Sequence, residues 1–461
     1  MNASLTTTFP QRSLPTRRKT TSLSMLKKGV WLYFLLLIFE GALRKWFLTP
    51  LSTPLLVVRD PVAVWIILEA LKQRKFPFNP YVPFTVLIAV TGIYTAFFLG
   101  HGNVYIAVYG ARALLFHFPL VFAIGQIMDR SDVERIGRFT VMLTPFMALL
   151  IAMQFFSPQS AWVNRGIDGS SSSAGFSGAL GFFRPPATFS FTNGTSMFFS
   201  FAACFIIYFW LSPTKIRRLT LLAATVGLLA AIPLSISRGL FFSVLVSVGF
   251  ALLATSRKPG YLWRLILGMA GIGVLYLLLG NTSFFQTATR AFSTRFSIAN
   301  QMVGGVDNLL LDFYLGGLVS ALTQSSAQPF FGYGIGLGTN AGAIFMSGNK
   351  GFVLSEGEWG RLIGELGPVM GLALVFMRLS LSATLAVRSY NRLSRGDLLP
   401  WMLLSFGLLT VPQGGWAQPT SLGFCTVIAG LILAACRVPK KTKRPARGMT
   451  VPNSSTPIRL R

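Results

Sequence analysis

The stretch "SEGEWGRLIGELG" crowds Glu356, Glu358, Arg361 and Glu365 at the start of one apolar run, in a chain that holds only 13 acidic residues. A carboxylate beside a hydroxyl can take its proton as that oxygen attacks carbon, which makes Glu356 a candidate general base. Guanidinium groups supply the complementary chemistry, since a planar fork of N–H donors that stays charged can hold two phosphate oxygens at once. The candidates are Arg184 in "GFFRPPATFSFTNGTS", Arg238 in "PLSISRGLFFS", Arg290 and Arg295 in "TRAFSTRFS", and Arg361. Taken singly, Arg184 or Arg238 could equally cap a helix or meet lipid headgroups. Several converging at one membrane depth would suit a diphosphate.

On a helix that begins near Ser355, Glu358, Arg361 and Glu365 fall at i, i+3 and i+7 on one stripe, where Arg361 can pair with either neighbour. Glu356 is turned from Glu358 by about 200°, free to face a cavity while the others brace the helix entrance. Arg361 can also lend its charge to a bound anion, with Glu358 beside it as a further substrate-binding candidate.

The elements that must hold these residues follow from composition. Hydrophobic residues make up 52% of the chain and charged ones 12%, and mean hydropathy is +0.59, the profile of a polytopic membrane protein. Apolar segments recur at 30–48, 54–71, 82–100, 104–128, 136–156, 189–211, 219–236, 239–254, 263–280, 362–387, 398–412 and 420–436. The expected fold is all-α, with about twelve membrane-spanning helices. Clusters of Lys and Arg occupy every second gap, which places both termini in the cytoplasm. The tails 1–28 and 437–461 are basic and read as disordered, flanking a membrane domain over 29–436. The other gaps face outward, and two are long, 157–188 and 281–360. The second contains the apolar "VDNLLLDFYLGGLVSAL" and predicts short helices that carry much of the site.

The net charge of +28 does not point to nucleic acid, because the basic residues lie in short clusters between apolar runs rather than along one face. Cys204, Cys425 and Cys436 sit inside apolar runs and read as small buried hydrophobes, with no disulfide framework or zinc site. "GYGIGLG" lacks the strand, helix and soluble domain of a dinucleotide fingerprint, so its glycines serve close backbone approach or tight turns. Within the spans, Glu40 and Arg44 are spaced to pair, with Trp46 at the interface. Arg59, Asp60, Arg112, His117 and Arg378 at membrane depth need a polar cavity or partners. His117 reads as a hydrogen-bonded core residue and His101 as an exposed loop residue.

Four motifs in order, "FFRPPATFSFTNG", the "SRG" turn, "FFGYGIGLGTNAG" and the "ELGPVMGL" entry to a late span, resemble the O-antigen ligase and O-antigen polymerase superfamily of bacterial envelope glycosyltransferases. The likeness covers about residues 180–375, and "FEGALRKW" is similar to the exopolysaccharide polymerase-like branch. The resemblance implies an inner-membrane enzyme that takes undecaprenyl-diphosphate-linked glycan at the periplasmic face. It would transfer that glycan to an acceptor sugar with inversion, without a metal, nucleotide sugar or other cofactor. It also implies a bilayer setting, other polysaccharide-assembly proteins as partners, and Arg184 and Arg238 as the diphosphate-holding arginines. Where the ligases carry a His-Asn pair before the "ELG" entry, this chain has Glu356 and Gly357. That departure favours polymerase over ligase. It also keeps open a non-catalytic member of an envelope-polysaccharide complex, beside the separate alternative of a twelve-span transporter.

Overall fold

The computed structural model describes residues 18–437, apart from 168–175, 213–215, most of 256–281, 304–316, 324–327 and most of 341–356. The helices, in chain order, are α1 (Arg18–Ala42), α2 (Arg59–Lys72), α3 (Tyr81–Phe98), α4 (Val104–Arg112), α5 (Phe118–Ile127), α6 (Arg130–Phe156) and α7 (Thr192–Leu211). They continue with α8 (Arg218–Leu234), α9 (Arg238–Thr255), α10 (Ser283–Val303), α11 (Gly317–Thr323), α12 (Glu358–Ser394), α13 (Leu399–Thr410) and α14 (Pro419–Cys436). Among the described residues, 8 helical stretches are long and apolar enough to cross a membrane, and the chain is an all-α membrane protein. The predicted segment 263–280 lies largely outside the described residues, and most of "VDNLLLDFYLGGLVSAL" does so too. The described parts of the second long loop include the 21-residue α10, longer than the short helices expected there, and the 7-residue α11.

Helix α7 runs through the centre, against α6, α8, α9, α13 and α14. Its Phe198, Phe199, Phe201 and Phe205 are wholly buried. Lipid tails are as apolar as these side chains, so packing among the helices depends on close fit more than on exclusion of water. The crossing of α5 and α14 meets that need with glycine: a Cβ on Gly125 would lie 2.7 Å from Leu433, and one on Gly430 would lie 2.6 Å from Ile124. At the start of α6, Asp129 accepts from the Ser131 and Asp132 amides while Asp132 accepts from the Asp129 amide, a capping box. Lys27 of α1 ties onto it at 2.6 Å from Asp129.

The charges that α1, α2, α4 and the turn before α5 carry into the apolar interior find partners. Glu40 takes Arg59 at 3.0 Å and Arg44 at 3.6 Å. Asp60 takes Arg112 at 2.9 Å and the His117 ring at 2.9 Å, and His117 Nδ1 meets the Tyr33 hydroxyl at 2.7 Å. His117 is thus a hydrogen-bonded core residue. His101 is half-buried and holds the loop, with Nε2 3.2 Å from the Ile335 carbonyl. Cys204 and Cys425 are buried free thiols.

Two local features exceed what the sequence patterns predict. The first long loop contains a hairpin, β1 (Phe176–Ala179) and β2 (Phe182–Arg184). Leu180 and Gly181 both take positive φ, 54° and 79°, the backbone that a two-residue hairpin turn demands. The second feature is a break inside α12 at Gly367, with φ 79° and ψ 169°, followed by Pro368. Proline has no N–H, so the Gly364 carbonyl one turn earlier loses its helical donor. The glycine run repairs the loss: Tyr333 N–H donates to Gly364 O at 2.8 Å, and Gly334 N–H donates to Glu365 O at 3.0 Å.

Gly332 sits at φ 70°, and a Cβ there would lie 2.5 Å from the Glu365 carbonyl. Gly332→Val is expected to lower stability by about 1–3 kcal/mol, through left-handed strain and overpacking together. Thermal unfolding in detergent checks this, and an unchanged midpoint would show that the run does not depend on this seat.

Candidate functional site

Arg184, Arg238 and Arg295 line one cavity of about 530 Å³. They come from distant parts of the sequence: the end of β2, the first residue of α9 and the middle of α10. Arg238 is fixed by its helix. Ser237 accepts the Leu240 N–H at 3.3 Å on its hydroxyl, which caps the free donors of the first turn. Ile236 before it takes φ 46°, a left-handed backbone that turns the chain sharply into α9. Arg295 donates to the Ser177 and Gly178 carbonyls at 3.0 and 3.1 Å, which pins α10 to the hairpin.

Three helices present their N-terminal turns to the cavity: α7 through Asn193, α9 through Arg238 and Gly239, and α14 through Ser421. The turns are stitched together, with Asn193 donating to Ser421 at 2.9 Å and Ser196 donating to Ser237 at 2.7 Å. Unpaired backbone N–H groups and the positive ends of helix dipoles favour an anion at such a meeting point. A helix C-terminus also reaches the wall, at Thr410 of α13. Its negative end is partly offset, because the Thr410 carbonyl accepts from Gly414 N–H at 2.8 Å and from the Cys425 thiol at 3.2 Å. Met197, Phe242, Phe406 and Leu409 make the apolar part of the wall.

The electrostatics favour the same occupant. Among the described residues no carboxylate pairs with any of the three arginines, and no described carboxylate lines the cavity. Arg184 Nε is buried without a hydrogen-bond partner. Burial, then the neighbouring Arg295 and Arg238, push the Arg184 guanidinium down to about 10. Arg295 is lowered in the same direction, by burial first and then by Arg238. At neutral pH Arg184 therefore remains a cation, crowded by like charge. A bound anion would relieve repulsion and satisfy donors at once.

No protein-family model matches the chain, and no curated protein does. Three converging guanidiniums and three helix ends can hold two or more phosphate oxygens, beside an apolar wall and several hydroxyls. Among the described residues no three His, Cys, Asp or Glu side chains gather in a way that could hold a metal ion.

The remaining sequence candidates fall elsewhere. Arg290 is exposed on α10 and does not line the cavity. Arg361 and Glu358 are buried in the first turns of α12: Arg361 forks onto Glu358 at 2.7 and 3.0 Å and donates to Glu365 at 2.6 Å. Arg378, from beyond the helix break, donates to Glu358 at 2.8 Å. The four form a brace rather than a lining. It backs onto the cavity wall, since the Arg378 guanidinium lies 4.9 Å from the Trp416 ring, next to the lining residues Gly414 and Gly415. Glu356 lies outside the described residues.

Sequence reasoning passed over Asn193, Ser196, Ser237, Thr410 and Ser421, all of which line the cavity. A signal existed for some of them. "TVPQGGWAQPTS" (410–421) interrupts two apolar segments with polar and helix-breaking residues, a composition that fits irregular backbone only beside protein or a polar cavity.

Proposed function

We propose that the protein is a membrane glycosyltransferase that polymerises, or ligates, polyprenyl-diphosphate-linked glycan at the periplasmic face of a bacterial inner membrane. The observation that carries this reading is the convergence of Arg184, Arg238 and Arg295 on one cavity free of described carboxylates. Its volume falls within the range of small-molecule sites. In this reading twelve helices cross the bilayer, both termini are cytoplasmic, and the cavity opens on the outer side.

The reaction asks for two kinds of group. An acceptor sugar hydroxyl attacks the anomeric carbon from the face opposite the diphosphate and forms the new glycosidic C–O bond. The old C–O bond breaks, and its electron pair leaves with the polyprenyl diphosphate. The three arginines and the helix N-termini stabilise the charge that builds on the departing oxygen. Glu356 takes the hydroxyl proton.

Polymerase is preferred to ligase because the ligases' His-Asn pair is absent from this chain. The lipid-linked glycans of a deletion strain decide between them. Accumulated single repeat units are expected, whereas accumulated lipid-linked polymer would assign a ligase. An unchanged glycan profile would overturn the assignment, and loss of solute flux alone would assign a transporter.

A further inference from the structure

Between β2 and α7 runs Pro185–Phe191, of which residues 185–190 are buried. This segment determines where Arg184 stands on one side and where Asn193 stands on the other. Its third residue is strained: Ala187 takes φ 51°, a left-handed backbone that costs a residue with a Cβ about 1–2 kcal/mol. Such a conformation persists when its surroundings over-determine it.

Two buried polar side chains do so. Gln154, near the end of α6, faces Ala187 with both halves of its amide: Oε1 accepts the Ala187 N–H at 2.7 Å and Nε2 donates to the Ala187 carbonyl at 3.2 Å. The same Nε2 donates to Val163 O at 3.1 Å. Lys45, 1% exposed, donates to the Ala187 carbonyl at 2.5 Å. Among the described residues Lys45 has no carboxylate partner. A buried lysine so placed is costly, and a carbonyl that accepts it is held hard. Flanking contacts from α1 and from the π-helical turn Leu43–Phe47 that follows it complete the grip. Thr188 donates to Ile38 O at 2.7 Å and Arg44 donates to Ser190 at 2.9 Å. Gly41 lies so close that a Cβ would stand 2.5 Å from the Ser190 nitrogen.

From this geometry we infer that Gln154 and Lys45 are positioning residues, which hold Ala187 in its left-handed turn and so aim Arg184 and the first turn of α7 at the cavity. Neither residue lines the cavity itself. "FEGALRKW" thus acts on the site through the backbone of a neighbouring loop. The consequence for phosphate binding rests on the function proposed above, whereas the placement of Arg184 does not.

The test separates the two. The labelling rate of Arg184 by phenylglyoxal, located by mass spectrometry and referred to the exposed Arg217, reports its position without any ligand. Inorganic pyrophosphate, titrated by calorimetry into the purified full-length protein, reports the anion site. In Gln154→Leu and Lys45→Met, Arg184 labelling is expected to change by about threefold or more and pyrophosphate affinity to fall about tenfold, the scale of a hydrogen bond to a charged group. The thermal midpoint in detergent should fall as well, since Ala187 loses buried partners, so the labelling ratio rather than the midpoint judges the clamp. Arg184 labelling within about twofold of wild type in both variants would overturn the inference. Wild-type protein that does not bind pyrophosphate overturns the functional reading instead, and the labelling ratio still judges the clamp. If Gln154→Leu does not fold, Gln154→Glu keeps the acceptor for Ala187 N–H, loses the donor and is judged by the same ratio. If that variant also fails to fold, the inference falls, because the residue then serves assembly rather than position.

Discussion

Arg238→Ala is expected to reduce polymer formation by about 10²–10³-fold, the scale seen when one preorganised donor to a developing oxyanion is removed. The protein should still insert and fold. Arg238 is half-buried, has no carboxylate partner among the described residues and opens a helix, where alanine is a good helix former. The loss should therefore be one of chemistry rather than of stability. Arg238→Lys separates charge from shape: lysine keeps the cation but presents a point donor in place of a planar fork, so it should recover only part of the activity. Glu356→Gln should be as severe, because an amide cannot accept the hydroxyl proton. Polymer chain length and yield in membranes, normalised to inserted protein, measure all three. Wild-type polymer from Arg238→Ala and Glu356→Gln together would remove the proposed mechanism.

How much of this was legible in the sequence depends on the range of the interaction concerned. Helices were legible because a bilayer imposes length and apolarity residue by residue, and even the short α13 (Leu399–Thr410) falls on the apolar segment 398–412. The stripe of Glu358, Arg361 and Glu365 was legible because helical spacing alone brings those side chains together. The hairpin was not, since "FSGALGFFR" lacks a polar alternation and owes its strands to a Leu-Gly turn and to Arg295 arriving from far along the chain. The site was half legible. Arg184, Arg238 and Arg295 could be named as types suited to phosphate, but their meeting depends on which helices pack together, information carried by many individually weak contacts rather than by any local motif. Arg361 was drawn toward the substrate by its charge. Glu358 and Glu365 hold it in the brace, and the second cation that shares Glu358, Arg378, lies past a helix break that periodicity does not anticipate.

The largest stability effect should come from that brace. Arg361→Met leaves Glu365, among the described residues, with the Gly338 N–H at 2.8 Å as its side-chain donor, and leaves Glu358 to Arg378. Both carboxylates are buried, so removing their shared cation should destabilise the fold by about 3–5 kcal/mol, the penalty of an uncompensated buried charge. Arg361→Lys should be intermediate, because one ammonium cannot fork onto Glu358 and reach Glu365 in the arginine's geometry. The double change Arg361→Met, Glu365→Gln should recover much of the loss, since it neutralises the carboxylate left without a cation and keeps Glu358 paired with Arg378. Thermal unfolding in detergent distinguishes these cases. If Arg361→Met unfolds as late as wild type while polymer formation is lost, Arg361 is not the cement of α12 and must instead act directly on the bound anion.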